Sequence, residues 1–169
     1  MEVKLRALEK LALSIPGFKG YKEKEIRRET DRLLRQHIAS ILEEARSLIK
    51  ETQITVMQKG KIGLLDDLER AIMKLQNTID RLKTAAYGYS GFFDAVKIRE
   101  EELDALYKFD LSILEKAEEM LSSAKSLKET AEKGEELISA INSIISEADT
   151  LMATFLKRQE AVISFREGE

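Results

Sequence analysis

Between Leu64 and Tyr87 the apolar residues return at alternating steps of three and four without a miss: Leu65, Leu68, Ile72, Leu75, Ile79, Leu82 and Ala86. A strand repeats every two residues and a helix every 3.6, so this spacing places all seven on one helical stripe. Such a helix is marginal alone in water and must bury its stripe against a neighbour. When the alternation persists for several heptads, near-parallel packing at about 20° is favoured, as in four-helix bundles and coiled coils. Asp66, Asp67 and Glu69 lie in the first turns, where acids suit the helix dipole, and Gly88 is the expected cap.

The same pattern recurs along the chain. A short helix is expected over 2–14, with Leu5, Leu8, Ala12 and Ile15 on one side, ended by Pro16 and Gly17. A long helix is expected over 21–59, carrying Leu34, Ile38, Ile41, Ala45, Leu48 and Thr52, and closed by Lys59-Gly60-Lys61-Ile62-Gly63. The helix of 64–87 follows. Another is expected over 99–133, with Leu103, Leu106, Asp110, Ile113, Ala117, Met120, Ala124, Leu127 and Ala131 as its seam. The last is expected over 135–165, with Ile138, Ile141, Ile145, Ala148, Met152, Phe155, Gln159 and Val162, Gln159 being its single polar member. The short breaks at 60–63 and 133–135 make the helices they join antiparallel. The expected fold is therefore all-α: one domain over 1–169, an antiparallel bundle of four long helices with a short N-terminal helix folded onto it. The heptads also permit an extended coiled coil. Residues 87–98 are expected to form an ordered, non-helical connector, too apolar to float in water.

Composition enters where it excludes functions. The chain is 35% charged against a usual share of about 25%, which fits amphipathic helices with solvated outer faces. Asn occurs twice, Gln five times and Cys not at all, a composition like that of heat-adapted proteins and equally of long helical bundles. Without cysteine there is no disulfide, thiolate chemistry or Cys-based zinc site, and a reducing, cytoplasmic setting is expected. No apolar run is long enough to span a bilayer. Charges at Glu2, Lys4, Arg6, Glu9 and Lys10 interrupt the N-terminal stretch, so no signal peptide is expected.

No catalytic constellation stands out. His37 is the one histidine, and Leu34 occupies the position three before it where a di-iron bundle would carry Glu. Gly60-Lys61-Ile62-Gly63 is too short for a phosphate loop and joins two helices. No enzyme activity, cofactor or metal is expected.

Four features remain as candidate interaction sites. Residues 1–35 hold ten Lys/Arg against six Asp/Glu, while the rest holds 18 against 25. Within the basic part, Lys24, Arg28, Arg32 and Arg35 share one helical face, a stripe able to grip phosphates of nucleic acid or of an anionic membrane. Glu23–Arg27 and Asp31–Arg35, four apart with the acid first, equally read as helical ion pairs. Tyr87, Tyr89, Phe92 and Phe93 crowd the connector, and Phe18 and Tyr21 lie at the same expected end of the bundle. They form either an internal plug or an exposed aromatic platform for a peptide or membrane. Asp110 is a carboxylate on an apolar seam and needs an Arg, Lys, Tyr or His partner, with Arg27, Arg28, Arg32 and His37 as candidates; it reads either as a register-fixing polar contact or as part of a polar pocket beside the connector. The N-terminal helix either docks on the bundle or lies in a membrane interface.

The stretch Pro16–Arg32 (PGFKGYKEKEIRRETDR), with Tyr87–Lys97 and Tyr107–Leu111, resembles a prokaryotic (archaeal and bacterial) family of all-helical proteins of unknown function. The resemblance spans most of the chain and implies only that these three segments are the recognisable parts of a helical family, without an activity; all three also depart from plain heptads, and that pattern points to a shared structural site. The expected function is that of a scaffold or adaptor, with another protein or a second copy as partner. The alternative is a peripheral binder of membrane or nucleic acid through the basic face of 19–35.

Overall fold

The computed structural model describes residues 2–85 and 90–167, with the backbone alone at 2–5, 90, 166 and 167. Among the described residues all regular structure is helical: α1 (Glu2–Ser14), α2 (Arg27–Gln58), α3 (Leu65–Thr84), α4 (Ser90–Phe93), α5 (Glu100–Glu132) and α6 (Ile138–Glu167). At about 1.5 Å rise per residue, α2 and α5 are each close to 50 Å long.

α2 and α3 form one hairpin, α5 and α6 another. Both turns use the same device. Lys61 N–H returns to Val56 O at 3.0 Å and Gly60 N–H to Met57 O at 3.0 Å, with Gly60 at φ 75°. Glu135 N–H returns to Thr130 O at 3.2 Å and Gly134 N–H to Ala131 O at 3.1 Å, with Gly134 at φ 72°. These paired bonds satisfy carbonyls that a helix end leaves unmet, and glycine takes the left-handed residue without a Cβ penalty.

The antiparallel expectation holds within each hairpin. Between hairpins the pairing is parallel: α2 lies along α5 and α3 along α6, closing a ring of four. Lys59, at the end of α2, donates to the carbonyls of Ala131 (2.6 Å) and Glu132 (2.7 Å) at the end of α5. The aligned direction arises because the chain crosses the whole lower end of the bundle between α3 and α5.

On α3 the expected stripe is buried at Leu68, Ile72, Leu75, Ile79 and Leu82 and half-buried at Leu65, while Ala86 and the expected cap Gly88 lie outside the described residues; on α5 all nine seam members are buried, Asp110 included. In α2 the core shifts to Leu34, Ile38, Leu42, Ala45, Ile49, Thr52 and Val56, leaving Ile41 and Leu48 half-buried. The largest shift is in α6. The buried positions along it are Leu137, just ahead of its first residue, and Ile141, Ile144, Ala148, Leu151, Phe155, Arg158 and Val162. This is a second unbroken heptad sharing every other position with the expected one, and it buries Arg158 where Gln159 was expected.

α1 packs on α5 through Ala7 and Leu11, the docked alternative. The long helix starts at Arg27 and not at residue 21; residues 15–26 run between α1 and α2 as an irregular segment ending in a single tight turn, Lys24–Ile26. α5 opens with Glu102 accepting from the Arg99 backbone N–H at 3.1 Å, and Glu100, Glu101 and Glu102 face the positive end of the helix.

Candidate functional site

At the lower end of the bundle the irregular segment inserts Tyr21 into the core. Gly20 makes this possible: at φ 90° it lies so close to α5 that a Cβ there would sit 2.5 Å from the Tyr107 Oη. Tyr21 N–H then donates to Tyr107 Oη at 2.9 Å, and the two rings stack with centroids 5.6 Å apart. Phe18 meets the Tyr21 ring edge-on at 5.8 Å, and Phe93 of α4 closes a third side at 6.1 Å. Phe92 touches Phe93 at 5.3 Å and Phe165 of α6 at 5.6 Å.

Beneath the rings lies a chain of buried polar groups. The Tyr21 hydroxyl donates to Asp110 Oδ2 at 2.5 Å. Arg158 Nε donates to Asp110 Oδ1 at 2.6 Å, and its Nη2 to Asp31 Oδ1 at 2.8 Å. Arg35 Nε donates to Asp31 Oδ2 at 2.8 Å, and its Nη1 to the Leu82 carbonyl at the end of α3 at 2.6 Å. Tyr21, Asp110 and Arg158 are fully buried. Two carboxylates face two guanidiniums, so the chain of groups is charge-balanced. It spans the entry segment, α2, α3, α5 and α6.

Burial pushes the Asp110 carboxyl up, against the Arg158 charge and the Tyr21 bond, which hold it down. Burial, with the Asp110 charge beside it, drives the Tyr21 hydroxyl well above its ordinary range. Tyr21 is therefore a fixed donor. Arg27 adds a clamp: its guanidinium donates to the carbonyls of Tyr21 (2.7 Å), Lys22 (3.3 Å) and Ala95 (2.6 Å), tying the entry segment to the connector.

The expected site residues divide sharply. Phe18, Tyr21, Phe92, Phe93 and Asp110 meet in this one cluster, as an internal plug and not an exposed platform. Tyr87 and Tyr89 lie outside the described residues. The connector is in part helical, through the single turn of α4. The basic stripe separates: Arg35 is buried on Asp31, whereas Lys24, Arg28 and Arg32 are exposed. Arg28 pairs with Asp94 at 2.7 Å and Arg32 with Glu29 at 2.5 Å. Asp110 finds none of its four expected partners; Arg158 and Tyr21 hold it instead. Arg158, Tyr107 and the clamp of Arg27 were missed. Tyr107 was readable as the position one turn before Asp110 on the seam face.

A cleft of about 360 Å³ opens beside the cluster, where Lys19, Lys22, Glu23 and Glu100 surround Leu103 and Tyr107. It reaches Tyr107 but is not lined by Tyr21, Asp110 or Arg158. Among the described residues no group of three His, Cys, Asp or Glu side chains is placed to hold a metal ion, and no helix is long and apolar enough to cross a membrane. Comparison with models of protein families, with curated proteins and with solved structures finds no match.

Proposed function

We propose that this chain is a cytoplasmic scaffold or adaptor that works by presenting helical faces and carries no chemistry of its own. The observation behind this reading is the fate of its buried ionisable groups. Tyr21, Asp31, Arg35, Asp110 and Arg158 bond one another, in balanced charge and out of reach of water. Catalytic groups need access to a reacting atom and a proton to exchange. Here every one of these groups is spent on joining five segments of the fold. A polar contact of this kind fixes the register of packed helices, which a surface-presenting protein requires.

The alternative of a phosphate-binding face draws less support, because Arg28, Arg32 and Arg35 each face a carboxylate.

In-cell cross-linking tests the proposal: the chain is expected in a stoichiometric protein adduct. A chain cross-linked to no protein, itself included, overturns it. So does a catalytic turnover that Tyr21→Phe abolishes while the fold stays intact.

A further inference from the structure

The outer groove between α5 and α6 carries two clefts of opposite character. The lower, about 410 Å³, is lined by Lys108, Phe109, Ser112, Thr154 and Lys157 with Ala105, and holds no carboxylate. The upper, about 190 Å³, is lined by Glu119, Glu147, Ser146 and Thr150 with Lys116. Glu147 is half-buried there. Its Oε1 accepts from Ser123 Oγ at 3.0 Å, while its Oε2 is buried without a hydrogen-bond partner. Burial pushes this carboxyl up, and the Glu119 charge adds to that push against the bonds from Ser123 and Ser143. Two carboxylates therefore share this cleft with one lysine, Lys116, which leaves it net acidic.

The α6 surface differs from the rest of the molecule. From Ile138 to Leu156 its charged residues are Glu147 and Asp149, in a chain that is 35% charged. Its exposed positions there include Ser139, Asn142, Ser143, Ser146, Thr150 and Ala153. Interface cores are depleted in charge relative to solvated surface, and this helix face shares that depletion.

We infer that a second copy of this chain covers it, with the α5/α6 grooves related by a two-fold axis so that Lys108 and Lys157 of each protomer face Glu119 and Glu147 of its partner. The spacing allows it. Lys108 to Glu119 along α5 and Lys157 to Glu147 along α6 are each about 15 Å at helical rise. The two members of each charge pair lie at the same level because they line the same cleft. A two-fold axis through the middle of the groove, near Ser112 and Thr150, superimposes each basic cleft on an acidic one. The area suffices as well. Two helices about 45 Å long and roughly 9 Å apart present on the order of 800 Å², the share each partner contributes to a standard interface. This pairing rests on the scaffold reading and supplies its first partner.

Sedimentation velocity over a concentration series tests it. The wild-type chain is expected to dimerise. Lys108→Glu with Lys157→Glu, and separately Glu119→Lys with Glu147→Lys, are each expected to weaken the dimer roughly a hundredfold, since like charges then face one another. An equimolar mixture of the two variants is expected to form the heterodimer that neither forms alone. Circular dichroism of each variant checks that the helices persist, and the single Glu119→Lys serves if Glu147→Lys unfolds. A wild-type chain monomeric to its highest soluble concentration, or a dimer indifferent to both charge reversals, overturns the pairing. A monomer that still cross-links to another protein in cells leaves the scaffold reading standing while this one falls.

Discussion

Where the hairpins turn, the upper end of the bundle is closed by backbone geometry and two lysines: two glycine caps, with Lys59 across the carbonyl ends of α5 and Lys61 on the Gly134 carbonyl. Where the chain enters and crosses over, the lower end is closed by Tyr21, Asp31, Arg35, Asp110 and Arg158 under a roof of aromatic rings. The upper half packs by repetition, with Ile49, Val56, Leu75, Met120, Leu127 and Ile144 as interchangeable apolar knobs. Such a core gives stability and little register, because a heptad slip still buries apolar side chains. The lower half gives register, because each polar group there has a partner that a slip would remove. The difference teaches that the fold needs uniqueness most where five segments meet.

The largest test of this contrast removes the shared cation. Arg158→Met keeps the volume but leaves Asp110 and part of Asp31 buried without their guanidinium. The expected loss is about 3–5 kcal/mol in denaturant unfolding. In the upper half, Leu75→Ala is expected to cost about 3 kcal/mol by opening a cavity. The two losses are alike in size and distinct in cure. Adding Asp110→Leu to Arg158→Met is expected to recover about 2 kcal/mol, since an apolar pair replaces an uncompensated charge. A loss below about 1 kcal/mol for Arg158→Met would remove the network as the lower end's organiser.

That position also marks how far the sequence could be read. The α3 and α5 stripes were legible because only one phase of the three-four pattern was apolar, throughout on α3 and at every position but Asp110 on α5. In α6 two phases were equally regular, one passing through Gln159 and one through Arg158. Hydropathy prefers the neutral side chain, so the sequence alone points to the wrong phase. The pairing that makes a buried arginine tolerable involves Asp110 and Asp31, 48 and 127 residues away. Asp110 itself was legible as an anomaly on its seam, but its partner was not. The basic stripe failed for a related reason: Arg35 shares a helical face with Arg28 and Arg32, yet α2 turns that end of the face inward. The parallel pairing of the hairpins was not legible either, because nothing local in residues 85–99 says how far the crossover reaches.

A smaller effect comes from Tyr21. Tyr21→Phe removes the donor to Asp110 and is expected to cost about 1.5–3 kcal/mol near neutral pH, the range for bonds to a charged acceptor. The pH dependence runs in a stated direction. The hydroxyl is raised well above its ordinary value in the fold, while in the unfolded chain it ionises near pH 10. Below that point both states keep the proton and its contribution is complete. As pH rises past about 10 the unfolded state alone loses the proton, so wild-type stability falls. The phenylalanine variant lacks this group. The gap between wild type and variant, read from urea midpoints, is expected to shrink between neutral pH and about pH 11. A gap constant over that range would place the hydroxyl in contact with water.

The smallest and sharpest comparison uses two glycines with nearly the same backbone. Gly20 and Gly60 sit at φ 90° and 75°, one at each end of the bundle. Alanine at either position adopts a left-handed conformation at a cost of about 1 kcal/mol. At Gly60 nothing lies within 4 Å of the added Cβ, so that cost is the whole expected effect. At Gly20 the added Cβ meets Tyr107 Oη at 2.5 Å and Leu8 Cδ1 at 3.3 Å. The Tyr107 ring cannot swing aside freely, because it is buried, stacks on Tyr21 and accepts the Tyr21 N–H. Relief must come from moving the entry segment, which loosens the Tyr21 bond to Asp110 as well. Gly20→Ala is therefore expected to exceed Gly60→Ala by at least about 1 kcal/mol, the worth of one hydrogen bond. Equal losses would show that the entry segment yields easily, and with it the claim that the lower end sets the register.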